Sequence, residues 1–463
     1  MIRRPRITSI WKVAILSLLF VVPVLTAAMS NQARGEDGRP TTAPDELVAK
    51  LVKEDLSRSF QMHVISRTSA VQAAEALLKM GDDAVPALAS GLESKDELQR
   101  LNIVYLLNCV GTAATVPPRL KAAGDESARV RAAAVRRLPV WSDDVSGKAV
   151  IKALKDQDAV VRNAAAAAFA IRRDGPQATK IANNASKYSV ASLIVPLLSD
   201  PETRYQAAET LGSIGMNVAV RPLVKVLDDE RWTVRMTILK ALADLNDKQA
   251  TMGVVASLRD DNASVRCCAA ATLGQLGDIR AVPALMHSLT DPESFVRRDA
   301  AAALGRIGDR RAVPPLIQSL SDSSDQVVAA AGEALGKIGD PAAIKPLIGV
   351  LRPGGPAGEP IAAALGQFHD PVAVEPLRLY LVGQPESRRA AEALAGIPHP
   401  DAVAALIQVS IECNSHQSKI ALELLIGHSF AFESPQNIAM WWRAHRAEYL
   451  PAATQPAGAR RDG

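Results

Sequence analysis

The strongest constraint on this chain is that it repeats itself. A shift of 31 residues lays "DPESFVRRDAAAALGRIGDRRAVPPLIQSLSD" (291–322) over "DDNASVRCCAAATLGQLGDIRAVPALMHSLTD" (260–291). A second shift reaches the stretch that begins at Asp322. Val265, Val296 and Val327 fall in phase, as do Leu273, Leu304 and Leu335. Gly277, Gly308 and Gly339 also align, each followed by Asp278, Asp309 or Asp340. A fixed period of this length means stacked supersecondary units. A unit too small to bury its own apolar face must bury it against its neighbours.

Each unit reads as two helices. In 291–322, Asp291 is placed to cap the first helix and Pro292 to sit in its first turn. Val296, Ala300, Leu304 and Ile307 recur at helical spacing and form one apolar face. Gly308 is positioned to end that helix in the left-handed conformation. Asp309 then caps a second helix, whose face is Val313, Leu316, Ile317 and Leu320. Gly305 and its equivalents, Gly274 and Gly336, are expected to let successive first helices approach closely.

Two stretches break the rhythm. From Asp156 to Asp200 the spacing is 44 residues, and the extra length falls in "RRDGPQATKIANNASKYSV" (172–190). "RPGGPAGEP" (352–360) replaces a helix start with three prolines and three glycines, a composition that cannot continue a helix. Either is a tolerated loop or a change of curvature at a binding face.

Charged residues also keep the period. Asp125 and Arg131, Asp156 and Arg162, Asp229 and Arg235, Asp260 and Arg266, and Asp291 and Arg297 stand six apart at one phase. Six is a poor spacing for contact on one helix. It suits a ladder in which an Asp of one unit meets an Arg of the next. Arg298, Arg306 and Lys337, flanked by Asp244 and Gln275, fall on the outward side of the first helices. They are the candidate partner-binding residues, and Arg306 with Lys337 would meet an acidic segment.

The chain ends differ from the repeats. "MIRRPRITSIWK" is basic, residues 13–25 are apolar, and "TAAMS" supplies small residues, which is the order of a secretory signal. The expectation is an exported protein of the periplasm or cell envelope, with residues 1–30 a signal peptide or a retained signal anchor. A membrane contact would then run only through an uncleaved N-terminal segment. Residues 31–44 read as a linker, 45–412 as the repeat region, 413–450 as capping helices, and 451–463 as a disordered tail. Without Arg3, Arg4, Arg6 and Lys12 the 53 Lys and Arg fall to 49, matching the 49 Asp and Glu. A chain so balanced lacks the footprint of a nucleic-acid binder. Cys109, Cys267, Cys268 and Cys413 are too few for a disulfide framework and read as buried small hydrophobes.

The pattern D-x-x-x-x-V-R-x-x-A-A-x-A-L-G-x-I-G-D-x-x-A-V-P-x-L-x-x-x-L resembles the HEAT repeat of the PBS-lyase HEAT-like type. Asp291, Val296, Arg297, Ala300, Ala301, Ala303, Leu304, Gly305, Ile307, Gly308, Asp309, Ala312, Val313, Pro314, Leu316 and Leu320 carry it. The resemblance is strong over about 200–350 and looser over 66–412. It implies an all-α, right-handed α-solenoid of about eleven two-helix repeats, with the "VRRDAAAALG" helices lining the concave side. "ALELLIGHSFAFESPQNIAMWWRAHRAEYL" (421–450) is similar to a closing segment of exported bacterial HEAT-repeat proteins. Leu425, Gly427, Phe430, Trp441 and Trp442 carry that likeness, with Trp441 and Trp442 as the cap.

Fold does not fix function. Deoxyhypusine hydroxylases share such repeats and hold iron through His-Glu pairs. Here the seven histidines precede Val64, Ser288, Asp370, Pro400, Gln417, Ser429 and Arg446, so no iron site carries over. Phycobilin lyases also share the repeat, but the secretory start argues against them. No C-x-x-C, H-E-x-x-H or G-x-S-x-G occurs. His369 and His399 lie 30 apart near one edge of adjacent units, either as a metal pair or as turn residues. The expectation is a non-catalytic protein-interaction scaffold with a protein partner, no cofactor, no metal and no nucleic acid. An enzyme of the lyase or oxidoreductase kind is the alternative.

Overall fold

A computed structural model describes residues 43–52, 56, 69–138, 144–170, 184–430 and 433–449. Among these every regular element is helical, with short 3₁₀ turns between α-helices and no strand. The N-terminal segment 1–30 and the tail 451–463 lie outside the described residues. So does most of the long insertion, residues 171–183.

The chain divides into two compact units, Met1–Ala168 and Phe169–Gly463. The division falls where the 44-residue spacing interrupts the 31-residue period. Unit 1 holds α1 (Pro44–Val48), α2 (Ser69–Met80), α3 (Val85–Gly91), α4 (Glu97–Val110) and α5 (Val116–Ala122), then α6 (Ala128–Val135), α7 (Asp144–Ala153) and α8 (Ala159–Ala168). Unit 2 begins with α9 (Asn184–Ile194), α10 (Pro201–Ile214), α11 (Val220–Val224), α12 (Trp232–Leu245) and α13 (Thr251–Ala256). It continues with α14 (Ala263–Leu276), α15 (Val282–Ser288), α16 (Ser294–Ile307), α17 (Val313–Ser319), α18 (Asp325–Ile338) and α19 (Ile344–Val350). It ends with α20 (Gly358–Gln367), α21 (Val374–Gly383), α22 (Arg388–Ala395), α23 (Pro400–Glu412), α24 (His416–Ile426) and α25 (Pro435–Tyr449).

The α16–α17 repeat shows how the local sequence writes this structure. Asp291 does not cap α16 directly. Its Oδ1 accepts the Glu293 amide at 2.9 Å, and Glu293 is the capping residue, without a side-chain bond. Asp291 therefore closes a turn ahead of the helix, and Pro292 lies in that turn. Val296, Ala300, Ala301 and Leu304 are fully buried. Burying one Leu of this kind contributes about 2 kcal/mol. Gly308 adopts φ +75° and donates its amide to the Leu304 carbonyl at 3.0 Å. Asp309 accepts the Arg311 amide at 2.9 Å and starts the short 3₁₀ turn that leads into α17. Pro314 falls in the first turn of α17, where a missing N–H costs nothing.

Layers stack through the first helices. In unit 2, α10, α12, α14, α16, α18, α20 and α22 pack each on the next. A Cβ built on Gly305 would stand 2.6 Å from the Ala334 Cα, so only hydrogen fits between α16 and α18 there. Gly274 meets Ala303 in the same way at 2.8 Å. Second helices meet the following repeat mainly through the 3₁₀ turns. The row with the closer spacing is the inner row of such a stack, which places the first helices on the inside.

The charged ladder exists, with a partner rule that the sequence spacing did not supply. Arg297 grips Asp322, twenty-five residues on, through Nε–Oδ2 at 2.7 Å and Nη2–Oδ1 at 2.8 Å. Its Nη1 donates to the backbone carbonyl of Asp291, six residues back, at 2.8 Å. Arg235–Asp260 and Arg266–Asp291 repeat the same double bond in unit 2, and Arg100–Asp125 and Arg131–Asp156 in unit 1. Arg204 reaches Asp229 through one bond of 2.6 Å, and Arg231 holds the same carboxylate. Each Arg thus joins three chain segments. Arg162 makes the backward contact to the Asp156 carbonyl at 2.8 Å.

The 352–360 stretch corrects one expectation. Helix α20 begins inside it, at Gly358, and Pro360 sits in the first turn, where proline is tolerated. The helix is shortened to 10 residues against 14 in α16 and α18. Gly358 has no room for a side chain, since its Cβ position is 2.7 Å from the Tyr380 hydroxyl.

Candidate functional site

The first-helix row of unit 2 presents its outward side chains at fixed phases. Lys240 and Asp244 come from α12, Cys267, Cys268, Ala271 and Gln275 from α14. Arg298, Asp299, Ala302 and Arg306 come from α16, and Glu333 and Lys337 from α18. The middle of this face carries small side chains, with polar groups along it.

Most of those polar groups are engaged. Arg298 Nε donates to Asp299 Oδ1 at 2.7 Å, and Cys267 Sγ donates to Asp299 Oδ2 at 2.9 Å. Burial, then the Asp299 carboxylate, push the Cys267 thiol up to about 12. A thiol so held is neutral at physiological pH and a poor nucleophile. Burial likewise raises the Cys268 thiol. Gln275 donates to the Ala243 carbonyl at 2.7 Å. Glu333 faces Arg389 of α22 at 3.6 Å.

Arg306 and Lys337 stand apart. Both are exposed, and among the described residues neither has a carboxylate within 4 Å. Arg306 follows Gly305 and Lys337 follows Gly336, so the two occupy equivalent places on helices in backbone contact. Of the three outward candidates, Arg298 is committed to Asp299, while Arg306 and Lys337 are brought side by side with their charges uncompensated.

The ladder aspartates are charge-stabilised. Burial works to raise Asp229, but hydrogen bonds from Arg231, its backbone and Arg204 hold its carboxyl at about 2. The Asp322 carboxyl is lowered by the Arg297 hydrogen bond, and Asp156 by Arg131. Each of these groups serves the joint between repeats. A depression of about 560 Å³ beside the Arg235–Asp260 rung is lined by Lys225, Asp228, Arg259 and Asp261, with both charge signs on its wall.

His369 and His399 do not face one metal position. His369 takes the place of the helix-ending glycine at φ +53°, and its Nδ1 lies 2.7 Å from the Gly396 carbonyl. His399 Nδ1 accepts the Asp401 amide at 3.3 Å as a helix cap. Both are turn residues. Among the described residues no group of three His, Cys, Asp or Glu side chains is arranged to hold a metal. No described helix is long and apolar enough to cross a membrane.

At the C-terminal end the cover is built differently from the tryptophan pair expected. Phe430 and Ile438 are the fully buried residues. Trp441 is half-buried, stacked between His428 (5.1 Å between centroids) and His445 (4.5 Å), and edge-on to Phe430 at 5.0 Å. Trp442 leans on Tyr449 at 6.2 Å. The sequence reading missed both histidines. Their signal was the i, i+4 spacing of Trp441 and His445 on α25.

These features define a class: an all-α stack of two-helix repeats, riveted by inter-repeat Arg–Asp pairs, with an open first-helix face. The family described as HEAT repeats matches residues 220–304 and 289–355, and the PBS lyase HEAT-like repeat matches 203–229 and 388–411. The chain is a HEAT-repeat protein of the PBS-lyase HEAT-like type. No curated protein matches it in sequence. Its fold is similar to that of importin beta, solved in an ammonium sulfate condition, with TM-score 0.58 and 13% identity over 86% of this chain and 63% of that one. Kap95p, in a study of its binding to RanGDP, gives 0.56 and 13% over 88% and 63%. Kap121p bound to the extreme C-terminus of the phosphatase Cdc14p gives 0.54 and 13% over 96% and 56%. The chain spans less than two thirds of the length of these proteins, and the likeness is one of fold.

Proposed function

We propose that this chain is a non-catalytic protein-interaction scaffold that receives its partner on the first-helix face of unit 2, and that it works in the cell envelope. The observation that carries the reading is the uncompensated Arg306–Lys337 pair on an open face where neighbouring polar groups are already engaged. A face without a cavity and with an unreactive thiol suits binding better than turnover. Kap121p, which shares the fold, is bound to a chain terminus of a phosphatase. The basic-then-apolar order of residues 3–25 supports export.

The test is cross-linked capture from envelope extracts with three forms of the full chain: wild type, Ala302→Trp on the first-helix face, and Met252→Glu. Met252 lies exposed on the second helix α13. The reading expects one partner set held by wild type and Met252→Glu and lost with Ala302→Trp. Capture undiminished by Ala302→Trp overturns it. Fractionation of cells that express the tagged chain tests the location, and recovery with cytoplasmic markers overturns that part.

A further inference from the structure

We infer that the segment received on this face is an extended acidic peptide whose two carboxylates stand three residues apart, one on Arg306 and one on Lys337. The inference rests on the reading of the first-helix face as the binding surface and adds the chemistry of what binds there.

The spacing follows from the fold. Gly305 brings α16 against the backbone of α18, with 2.6 Å left between its Cβ position and the Ala334 Cα. Arg306 is the next residue after Gly305, and Lys337 is three residues beyond Ala334, one turn along the same face. The two cations are therefore one layer apart with no side chain between the helices to separate them. Packed helices stand about 8–10 Å apart. An extended chain advances about 3.3 Å per residue, so three residues cover one layer. Alternate side chains of an extended chain point to opposite faces. With a small twist over three residues, both carboxylates can reach down to the face while the segment lies along the stack.

The neighbours fix the sign and limit the length. At the phase of Arg306 and Lys337, the two preceding repeats carry Gln275, tied to the Ala243 carbonyl, and Asp244. Glu333 lies one turn before Lys337 and faces Arg389. Asp299 is held by Arg298 and Cys267. A long polyanion laid along the stack would meet Asp244 and Glu333 within one or two layers. A short segment with two spaced carboxylates meets only the two cations. The positions also suit cations for a structural reason, since both residues lie in the last turn of their helices, at the negative end of the dipole. That explains why the pair is tolerated without partners in the free chain.

The test uses the full chain and fluorescein-labelled ten-residue peptides in a Gly/Ser/Thr background. The peptides carry two Asp at spacing one, three or six, or two Lys at spacing three. Anisotropy titrations are run at low salt, because exposed pairs are screened over about 8 Å at physiological ionic strength. The Asp pair at spacing three is expected to bind tightest. Arg306→Glu with Lys337→Glu should weaken it about tenfold or more, and the same double variant should gain affinity for the Lys pair at spacing three. Both substituted positions are exposed, and the gained affinity shows that the variant is folded. Equal binding at all three spacings overturns the inference, as does binding indifferent to charge reversal. Preferential binding of a single-stranded oligonucleotide over the peptide also overturns it. If Ala302→Trp abolishes partner capture while the double charge reversal leaves it intact, the face stands as the binding surface and the acidic segment falls. If neither variant affects capture, the binding-surface reading itself falls.

Discussion

Arg297 and Asp322 lie twenty-five residues apart in sequence and are joined by two near-parallel N–H···O bonds of 2.7 and 2.8 Å, with both side chains largely shielded from water. The same guanidinium also holds the Asp291 carbonyl. One side chain thus fixes the turn before its own helix and the turn before the next. The planar fork of arginine is suited to this; a lysine ammonium cannot bridge the same three acceptors in one plane.

Removing one arm of a central rung should therefore cost more than a surface ion pair and less than a fully buried one. Arg266→Met is expected to destabilise unit 2 by about 1–3 kcal/mol. Arg266→Lys should recover only part of this. Urea unfolding measures it, and a double-mutant cycle with Asp291→Asn should show coupling, since the two groups share two bonds.

Acid should loosen the same joints. The Asp229 carboxyl sits at about 2, below an unfolded value near 4, and Asp156, Asp291 and Asp322 are lowered too. A lowered carboxyl pKa adds stability that is complete above about pH 4–5 and is lost as pH falls through the folded value. The urea midpoint should hold steady from pH 7 to 5 and fall between pH 4.5 and 2.5. Replacing Arg204 and Arg231 with Met should flatten part of that fall, because Asp229 then loses its cations.

Two glycines of one repeat should fail for different reasons. Gly305→Ala places a methyl 2.6 Å from the Ala334 Cα and forces the layers apart, at about 1–3 kcal/mol or more. Gly308→Ala meets nothing within 4 Å but must hold φ +75°, at about 1–2 kcal/mol. Pairing each with Ala334→Gly separates them in thermal melts: the smaller partner should relieve Gly305→Ala and leave Gly308→Ala unchanged.

The C-terminal cover should depend on Phe430 rather than on Trp442. Phe430 is fully buried, so Phe430→Ala should cost about 3–5 kcal/mol locally. It should also raise hydrogen exchange across α24 and α25. Trp442→Ala, which removes a ring resting only on Tyr449 among the aromatic contacts, should cost far less.

The Cys267 thiol should be slow to alkylate in the native chain at pH 7.5, because burial and Asp299 hold it near 12. Asp299→Asn removes the acceptor carboxylate and its charge. Alkylation of Cys267, followed by mass spectrometry, should then quicken several-fold. An unchanged rate would mean that access alone limits the reaction.

Much of this was legible from residue order. The 31-residue period, the end of α16 at Gly308 and the close approach at Gly305 depend on local backbone geometry or on a periodic apolar face. The start of α16 was displaced by three residues, because Asp291 caps a turn and the helix follows it. The ladder was found through its five Asp–Arg pairs at spacing six. That criterion missed Arg100, Arg204 and Asp322, whose six-residue partners are Ser94, Leu198 and Val328. A search for Arg followed by Asp at twenty-five would have found all six rungs among the described residues.

Sequence by itself determined that the chain is a stack of paired helices, because helix faces, caps and breakers act within a few residues and recur at a fixed period. Tertiary structure decided which charge meets which. Arg298 and Arg306 look alike in the sequence. Only the packing of α14, α16 and α18 commits Arg298 to Asp299 and leaves Arg306 beside Lys337 without a counter-charge. The physical reason is that electrostatic partners are chosen by distance across layers, which the order of residues along one layer does not contain.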